Sequence, residues 1–175
     1  MLLKMRDLET ARLLLREFRQ TDVGDVSRWA DNFRAEEFLE FCFHSYREWG
    51  MGPWAMLHKE SGVIVGNCGF CRIRYDRISD ALEYRGEVNY YVAPRSRGQG
   101  LASEALVAIL EFGFCELRLT RIQARCAPEN VSSEHVMRKA GLKFEQMIAA
   151  SKENSSEERL FAISREDFQA LRSSY

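Results

Sequence analysis

Arg95-Ser96-Arg97-Gly98-Gln99-Gly100-Leu101-Ala102 sets a glycine-rich turn between an apolar strand pattern and a helical one. Upstream, Gly86-Glu87-Val88-Asn89-Tyr90-Tyr91-Val92 reads as a strand. Downstream, Ala102 to Glu116 carries apolar residues at three- and four-residue spacing. Gly98 and Gly100 let the backbone turn tightly and approach a ligand, while the first N–H groups of the helix point into the same space. Such a turn is an anion site, shaped for a phosphate. It is not the dinucleotide fingerprint, because Ser103 stands at the third glycine position and the motif begins late in the chain. Nor is it a Walker loop, since Gly100 is not followed by Gly-Lys-Ser/Thr at the required spacing. Both a nicotinamide cofactor and nucleotide hydrolysis are disfavoured.

Outward from the turn, the pattern is mixed. Leu13 to Phe18 reads as a first strand, and Thr21-Asp22 as the cap of a short helix carrying Val23, Val26, Trp29 and Ala30. Glu36 to Trp49 is a weakly patterned helix. Trp54 to His58 and Ile64 to Ile73 flank Lys59-Glu60-Ser61-Gly62, a hairpin signal, and Tyr75 to Tyr84 reads as a polar, irregular segment. Beyond the long helix come a strand over Ile122 to Cys126, punctuation at Pro128-Glu129-Asn130, and a helix carrying Val131, Val136, Met137 and Ala140 with Gly141 as its stop. A strand over Leu142 to Ala149, a polar turn at Asn154-Ser155-Ser156, a strand over Arg159 to Ile163 and a short helix over Arg165 to Leu171 close the chain. This order predicts an α/β (α+β) fold: a mixed, mostly antiparallel sheet flanked by helices, with a parallel crossover around Gly98.

The 175 residues suffice for one domain, 1–175, with no Pro/Gly/Ser-rich linker dividing them. A net charge of -1 disfavours a generic polyanion-binding surface, so no direct nucleic-acid partner is indicated. No run approaches the roughly 20 apolar residues needed to span a bilayer. The 5 cysteines, odd in number and set among apolar neighbours, fit a reduced cytoplasmic protein.

These pieces in this order resemble the GCN5-related N-acetyltransferases (GNAT), and within them the ribosomal-protein and peptide N-terminal acetyltransferase-like (RimJ/RimL-like) group. The resemblance covers nearly the whole chain. It rests on Glu9-Thr10-Ala11-Arg12-Leu13-Leu14-Leu15-Arg16, Val65 to Phe70, Glu87 to Pro94, Arg95 to Glu104, Asn130-Val131-Ser132-Ser133, and Lys139-Ala140-Gly141-Leu142 with Phe144. It implies the GNAT fold, a central sheet of roughly six to seven strands, and acetyl-CoA as the cofactor. The implied activity is acetyl transfer to a primary amine, foremost a protein or peptide N-terminal α-amine. A small amine (polyamine, amino acid or aminoglycoside) is the alternative acceptor, and a catalytically silent acyl-CoA-binding protein the alternative class. Monomer and homodimer both remain open.

By that resemblance Arg95, Gly98 and Gly100 occupy the R/Q-x-x-G-x-G/A motif, and the amides of Arg97, Gly98, Gln99, Gly100, Leu101 and Ala102 would hold the pyrophosphate, with Arg95 or Arg97 adding charge. Tyr91, Val92 and Ala93 stand where a splayed strand pairs its main chain with pantetheine, although Tyr90 or Tyr91 equally suits sheet packing. Glu87 matches the strand carboxylate that acts as base on the amine, or else orients the substrate ammonium. Burial or a second carboxylate beside it would raise its pKa into the useful range. Ser133 matches a donor to the leaving thiolate, or an ordinary first-turn helix residue. Asn130 contacts the pantetheine arm or caps the helix. Asn89 departs from the family's glycine, and Leu142 from its phenylalanine, for which Phe144 offers a substitute.

Other signals carry less. Cys68-Gly69-Phe70-Cys71 has metal-like spacing, but three steps along a strand put the thiols on opposite faces. No second pair or matching histidine follows, so no metal is expected. Cys115 and Cys126 read as core. Asp31, Glu36, Glu37, Glu40, Asp76, Asp80 and Glu83 place acids on the first helices and the Tyr75 to Tyr84 segment, where an amine or basic N-terminus would be attracted. Trp49, Met51 and Trp54 supply either an apolar substrate wall or core.

Overall fold

The computed structural model describes residues 5–29, 34–78, 81–150 and 156–173, with side chains at 75–83 left aside. Among the described residues there are eight strands and five α-helices, in the order β1 (Leu8–Glu9), β2 (Leu13–Arg16), α1 (Val23–Ser27), α2 (Ala35–Trp49), β3 (Pro53–His58), β4 (Val63–Ile78), β5 (Ala81–Val92), α3 (Leu101–Cys115), β6 (Arg121–Cys126), α4 (Val131–Lys139), β7 (Lys143–Ile148), β8 (Glu158–Ser164) and α5 (Arg165–Arg172). The strand order is β1-β2-β3-β4-β5-β6-β8-β7, a mixed and mostly antiparallel sheet. It has one strand more than the upper expectation of seven. The two-residue β1, paired to β2 through Leu8↔Leu15 and Glu9↔Leu14, is too short to leave a period-two signal.

The chain packs as two compact units, Met1–Cys71 with Tyr90–Ile109, and Arg72–Asn89 with Leu110–Tyr175. In the first, β2, β3 and β4 run antiparallel. Their inward residues Leu13, Leu15, Trp54 and Met56 are fully buried. Each such side chain contributes about 1.5–3 kcal/mol by leaving water. Phe18, Val26, Trp29, Leu39, Cys42, Ala55, Ile64 and Ala93 form a second cluster against which Tyr91 packs. Helix α2 buries Leu39, Cys42 and Ser45 at three-residue intervals and stops at Gly50, whose φ of 66° is left-handed. The expected hairpin is present, with Gly62 at φ 66° in its turn.

One ion pair organises the start of this unit. Arg16 lays both terminal nitrogens on the Asp22 carboxylate at 2.8 Å, and the Arg19 N–H donates to Asp22 Oδ2 at 2.8 Å. Asp22 therefore serves this buried pair rather than the side-chain cap expected at α1.

In the second unit β6 pairs along its whole length with β8, antiparallel, and β8 with β7. β5 pairs with β6 in parallel through Arg85↔Arg121, Gly86↔Ile122 and Glu87↔Gln123, with α3 in the connection, as the crossover expectation requires. Ile122, Ala124, Met137, Leu142, Phe161, Ile163 and Phe168 are buried here. Three expectations fail. The Tyr75 to Tyr84 segment is strand, not irregular, through Ile78 and again from Ala81; residues 79–80 lie outside the described residues. Cys115 is exposed at the end of α3, while Cys126 is buried. Leu142 fills the core itself, whereas Phe144 stays 42% exposed and touches Phe161 only edge-on, at 5.6 Å between centroids. Ala30, Asp31 and most of the Asn154-Ser155-Ser156 turn lie outside the described residues.

Candidate active site

In the first unit the end of β5 leads through a 3-10 turn over Pro94–Ser96 into the glycine turn and α3. Gly98 and Gly100 take φ of 75° and 77°, the left-handed region in which a side chain is strained. A Cβ built at Gly98 meets no atom within 4 Å, so the turn opens on free space. The first bond of the α3 ladder is Glu104 N–H to the Gly100 carbonyl at 3.1 Å, and the amides of Leu101, Ala102 and Ser103 precede it. Open space at Gly98, just ahead of first-turn donors, suits a pyrophosphate. Arg95 is exposed. Arg97 is held back on the strand, its Nε–H donating to the Val92 carbonyl at 2.9 Å and its guanidinium 5.4 Å from the Tyr91 ring centroid.

The turn is braced from the link between β1 and β2. Arg12 donates from Nη1 to the Gln99 carbonyl at 2.8 Å and from Nε to Glu104 Oε2 at 2.7 Å. The Arg12 N–H and the Thr10 hydroxyl donate to Glu104 Oε1 at 2.8 and 2.6 Å. Burial alone would push the Glu104 carboxyl up, but the three donations it accepts and the Arg12 charge hold it below its usual range. Glu104 thus anchors the chain at Thr10 and Arg12, a contact that spacing alone did not mark.

Tyr91, Val92 and Ala93 divide. The Tyr91 ring stacks on Trp29 at 5.2 Å and its hydroxyl donates to the Trp29 carbonyl at 3.1 Å, so its side chain is packing. Ala93 N–H already donates to the Val65 carbonyl at 2.8 Å. Gly66 lies so near that a Cβ there would stand 2.0 Å from the Tyr91 carbonyl oxygen. Among the acids of α2, Glu36, Glu37 and Glu40 are exposed; Asp31 and the side chains of Asp76, Asp80 and Glu83 lie outside the described residues. Trp54 is fully buried with Nε1–H donating to the Arg6 carbonyl, and Met51 is buried too, which leaves Trp49, 59% exposed, as the one member of the expected apolar wall at the surface.

In the second unit Glu87 is half-buried on β5. Its Oε2 accepts from Gln123 Nε2 at 3.0 Å and meets Arg125 Nη2 at 3.3 Å; Arg125 Nη1 lies 3.8 Å from Glu158. Where burial or a second carboxylate would favour a base, Glu87 is half-buried and has the Arg125 guanidinium beside its Oε2. Neither Gln123 nor Arg125 was legible, since each is more than thirty residues away in the chain and arrives only through the parallel register. That ladder ends at Glu87↔Gln123 although β6 continues to Cys126, so β6 runs on past its last β5 partner. Asn130 caps α4, its Oδ1 accepting from the Ser133 N–H at 3.0 Å, and Ser133 sits half-buried in the first turn. Asn89 is exposed in ordinary extended backbone and has no need of glycine's freedom. Cys68 is buried and Cys71 exposed, on opposite faces as expected, and no group of three or more His, Cys, Asp or Glu among the described residues is placed to hold a metal.

The acetyltransferase (GNAT) domain family matches residues 12–143. This chain belongs to that family. The uncharacterized N-acetyltransferase YnaD of Bacillus subtilis (strain 168) is 38% identical over 148 residues, covering 79% of this chain and 83% of YnaD. A GNAT-family acetyltransferase crystal structure from Bacillus anthracis superposes with a TM-score of 0.75 at 25% identity, over 92% of this chain and 99% of that one. Mycobacterium smegmatis RimJ in complex with CoA-disulfide superposes with a TM-score of 0.76 at 19% identity, over 97% of this chain and 94% of that one, a likeness of fold. As a member of that family it is an acetyltransferase, with acetyl-CoA as its cofactor. Among the described residues no helix is long and apolar enough to cross a membrane.

Proposed function

We propose that this GNAT enzyme acetylates a protein or peptide N-terminal α-amine in the cytoplasm, as a RimJ/RimL-like member of the family. The observation that carries the acceptor is the outer face of α2. There exposed Glu36, Glu37 and Glu40 stand on one side of the helix with exposed Phe41. Acids attract a cationic terminus, and the aromatic ring suits a chain with apolar side chains better than a bare polyamine. The fold shared with RimJ supports the same reading.

Acetyl-CoA supplies the thioester that the amine attacks. The chain's own residues supply the rest. The Gly98 to Ala102 amides hold the pyrophosphate, assisted by Arg95. Glu87, held at Oε2 by Gln123 and Arg125, either takes the proton that an ammonium must lose before it attacks or orients that ammonium. The Ser133 hydroxyl donates to the departing sulfur, and Asn130, by capping α4, fixes the turn that carries it.

The test is thiol release by the purified protein with N-terminal peptides, free amino acids, polyamines and aminoglycosides, with mass spectrometry of each acceptor. A gain of one acetyl group on a peptide α-amine is expected. Modification of small amines alone would overturn the acceptor assignment.

A further inference from the structure

We infer that Arg12 is a positioning residue for the phosphate-binding turn: clamped to Glu104, its guanidinium fixes the Gln99–Gly100 peptide and so aims the Gly100 amide at the ligand. The inference rests on the assignment of the Gly98 turn to CoA.

A peptide unit is planar and trans, so its C=O and N–H point in opposite directions. Arg12 Nη1 holds the Gln99 carbonyl at 2.8 Å, and the amide of Gly100 must therefore face away from β2. Glycine has little conformational preference of its own, and this turn has left-handed glycines at 98 and 100. Its geometry has to be imposed from outside. Arg12 is itself immobilised: Nε and Nη2 each lie 2.7 Å from Glu104 Oε2, and its N–H donates to Oε1. Thr10, whose hydroxyl bonds the same Oε1, accepts from the Leu13 N–H at 2.9 Å and ties the assembly to β2.

Charge makes the same case. Glu104 is an anion in the first turn of the helix that would receive a pyrophosphate, and uncompensated it would repel that ligand. Arg12 neutralises it while reaching past it to the turn. A guanidinium does both because its donors form a rigid planar fork; the point charge of a lysine neutralises Glu104 without spanning to Gln99.

Pantetheine lacks the pyrophosphate and serves as the control ligand. Affinities for CoA and pantetheine are measured by calorimetry for the wild-type chain, Arg12→Met, Arg12→Lys and Gly98→Val, together with Gly100 amide exchange in the ligand-free protein. Arg12→Met is expected to weaken CoA about ten-fold, to leave pantetheine within about two-fold, and to speed Gly100 exchange. Arg12→Lys, which keeps the charge and guards against loss of the fold, is expected to show the same selective loss. Full CoA affinity in Arg12→Lys, or equal weakening of both ligands in Arg12→Met, overturns the inference. If Gly98→Val leaves CoA affinity intact, the turn assignment itself fails. If Gly98→Val abolishes CoA binding while the Arg12 variants keep it, the turn stands and Arg12 has no positioning role.

Discussion

Replacing Asp22 with alanine removes the carboxylate that accepts three hydrogen bonds at 2.8 Å, two from Arg16 and one from the Arg19 N–H. Both side chains of the pair are more than nine-tenths buried. The substitution leaves the Arg16 guanidinium inside the first unit with the Glu17 carbonyl as a remaining acceptor. Removing one partner of a buried pair costs about 3–5 kcal/mol, most of it from the stranded charge. At roughly 2–4 °C per kcal/mol for a chain of this length, the melting temperature should fall by about 10 °C. The double variant Arg16→Met/Asp22→Leu strands nothing and should recover most of the loss. Acid offers an independent check. Burial alone would raise the Asp22 carboxyl, but the bonds from Arg16 and Arg19 outweigh it and hold the folded value below the ordinary one. The pair's contribution is therefore complete above the unfolded value of about 3.9 and lost as pH falls through the lower folded value. Urea unfolding of wild type and Asp22→Ala, followed from neutral pH into acid, should show a gap that closes only below that range. A gap under about 1 kcal/mol at neutral pH, or one that stays open in strong acid, would refute the reasoning.

Glu87→Gln keeps an acceptor for Gln123 but removes the charge facing Arg125, and should cut turnover at neutral pH by about 100-fold or more. Ser133→Ala should lower turnover more than acetyl-CoA affinity, since the Asn130 cap uses the Ser133 amide rather than its hydroxyl; unchanged steady-state rates in both variants would remove the pair from the chemistry. Gly66→Ala places a methyl 2.0 Å from the Tyr91 carbonyl oxygen, where backbone cannot yield, and should cost about 3 kcal/mol or abolish folding, read from soluble yield and urea midpoint. Iodoacetamide should label Cys71 and Cys115 in the native protein while sparing Cys42 and Cys68. Burial pushes the Cys42 thiol up to about 12 and raises Cys68 as well, so rapid labelling of either would contradict their placement.

The legible parts of this chain are those whose signal is local. The glycine turn, the hairpin at Gly62 and the stop at Gly141, with φ 96°, each declare themselves within a few residues. The Tyr75 to Tyr84 segment did not, because strand pairing needs backbone donors and acceptors but no apolar alternation, and charged residues crowd it. The partners of Glu87 were illegible for another reason: Gln123 and Arg125 reach it through a register that only the assembled crossover defines. The Arg12 brace lies between. Both Arg12 and Glu104 fall in stretches that marked the family, yet their meeting across the fold was invisible to spacing.

Strand β7 ends the sheet order, and an outer strand offers a row of backbone groups on which another chain can template. Its pairing with β8 slips between Phe144 and Gln146, and Glu145, the residue at the slip, is gripped by Arg121 reaching from β6. With Phe144 and Met147 both exposed, a straight, uncharged β7 would be a sticky border. The kink and the captive charge make it a poor template for polymerising through this margin. Glu145→Val would lift that protection and should be visible as concentration-dependent light scattering before any change in the melting curve.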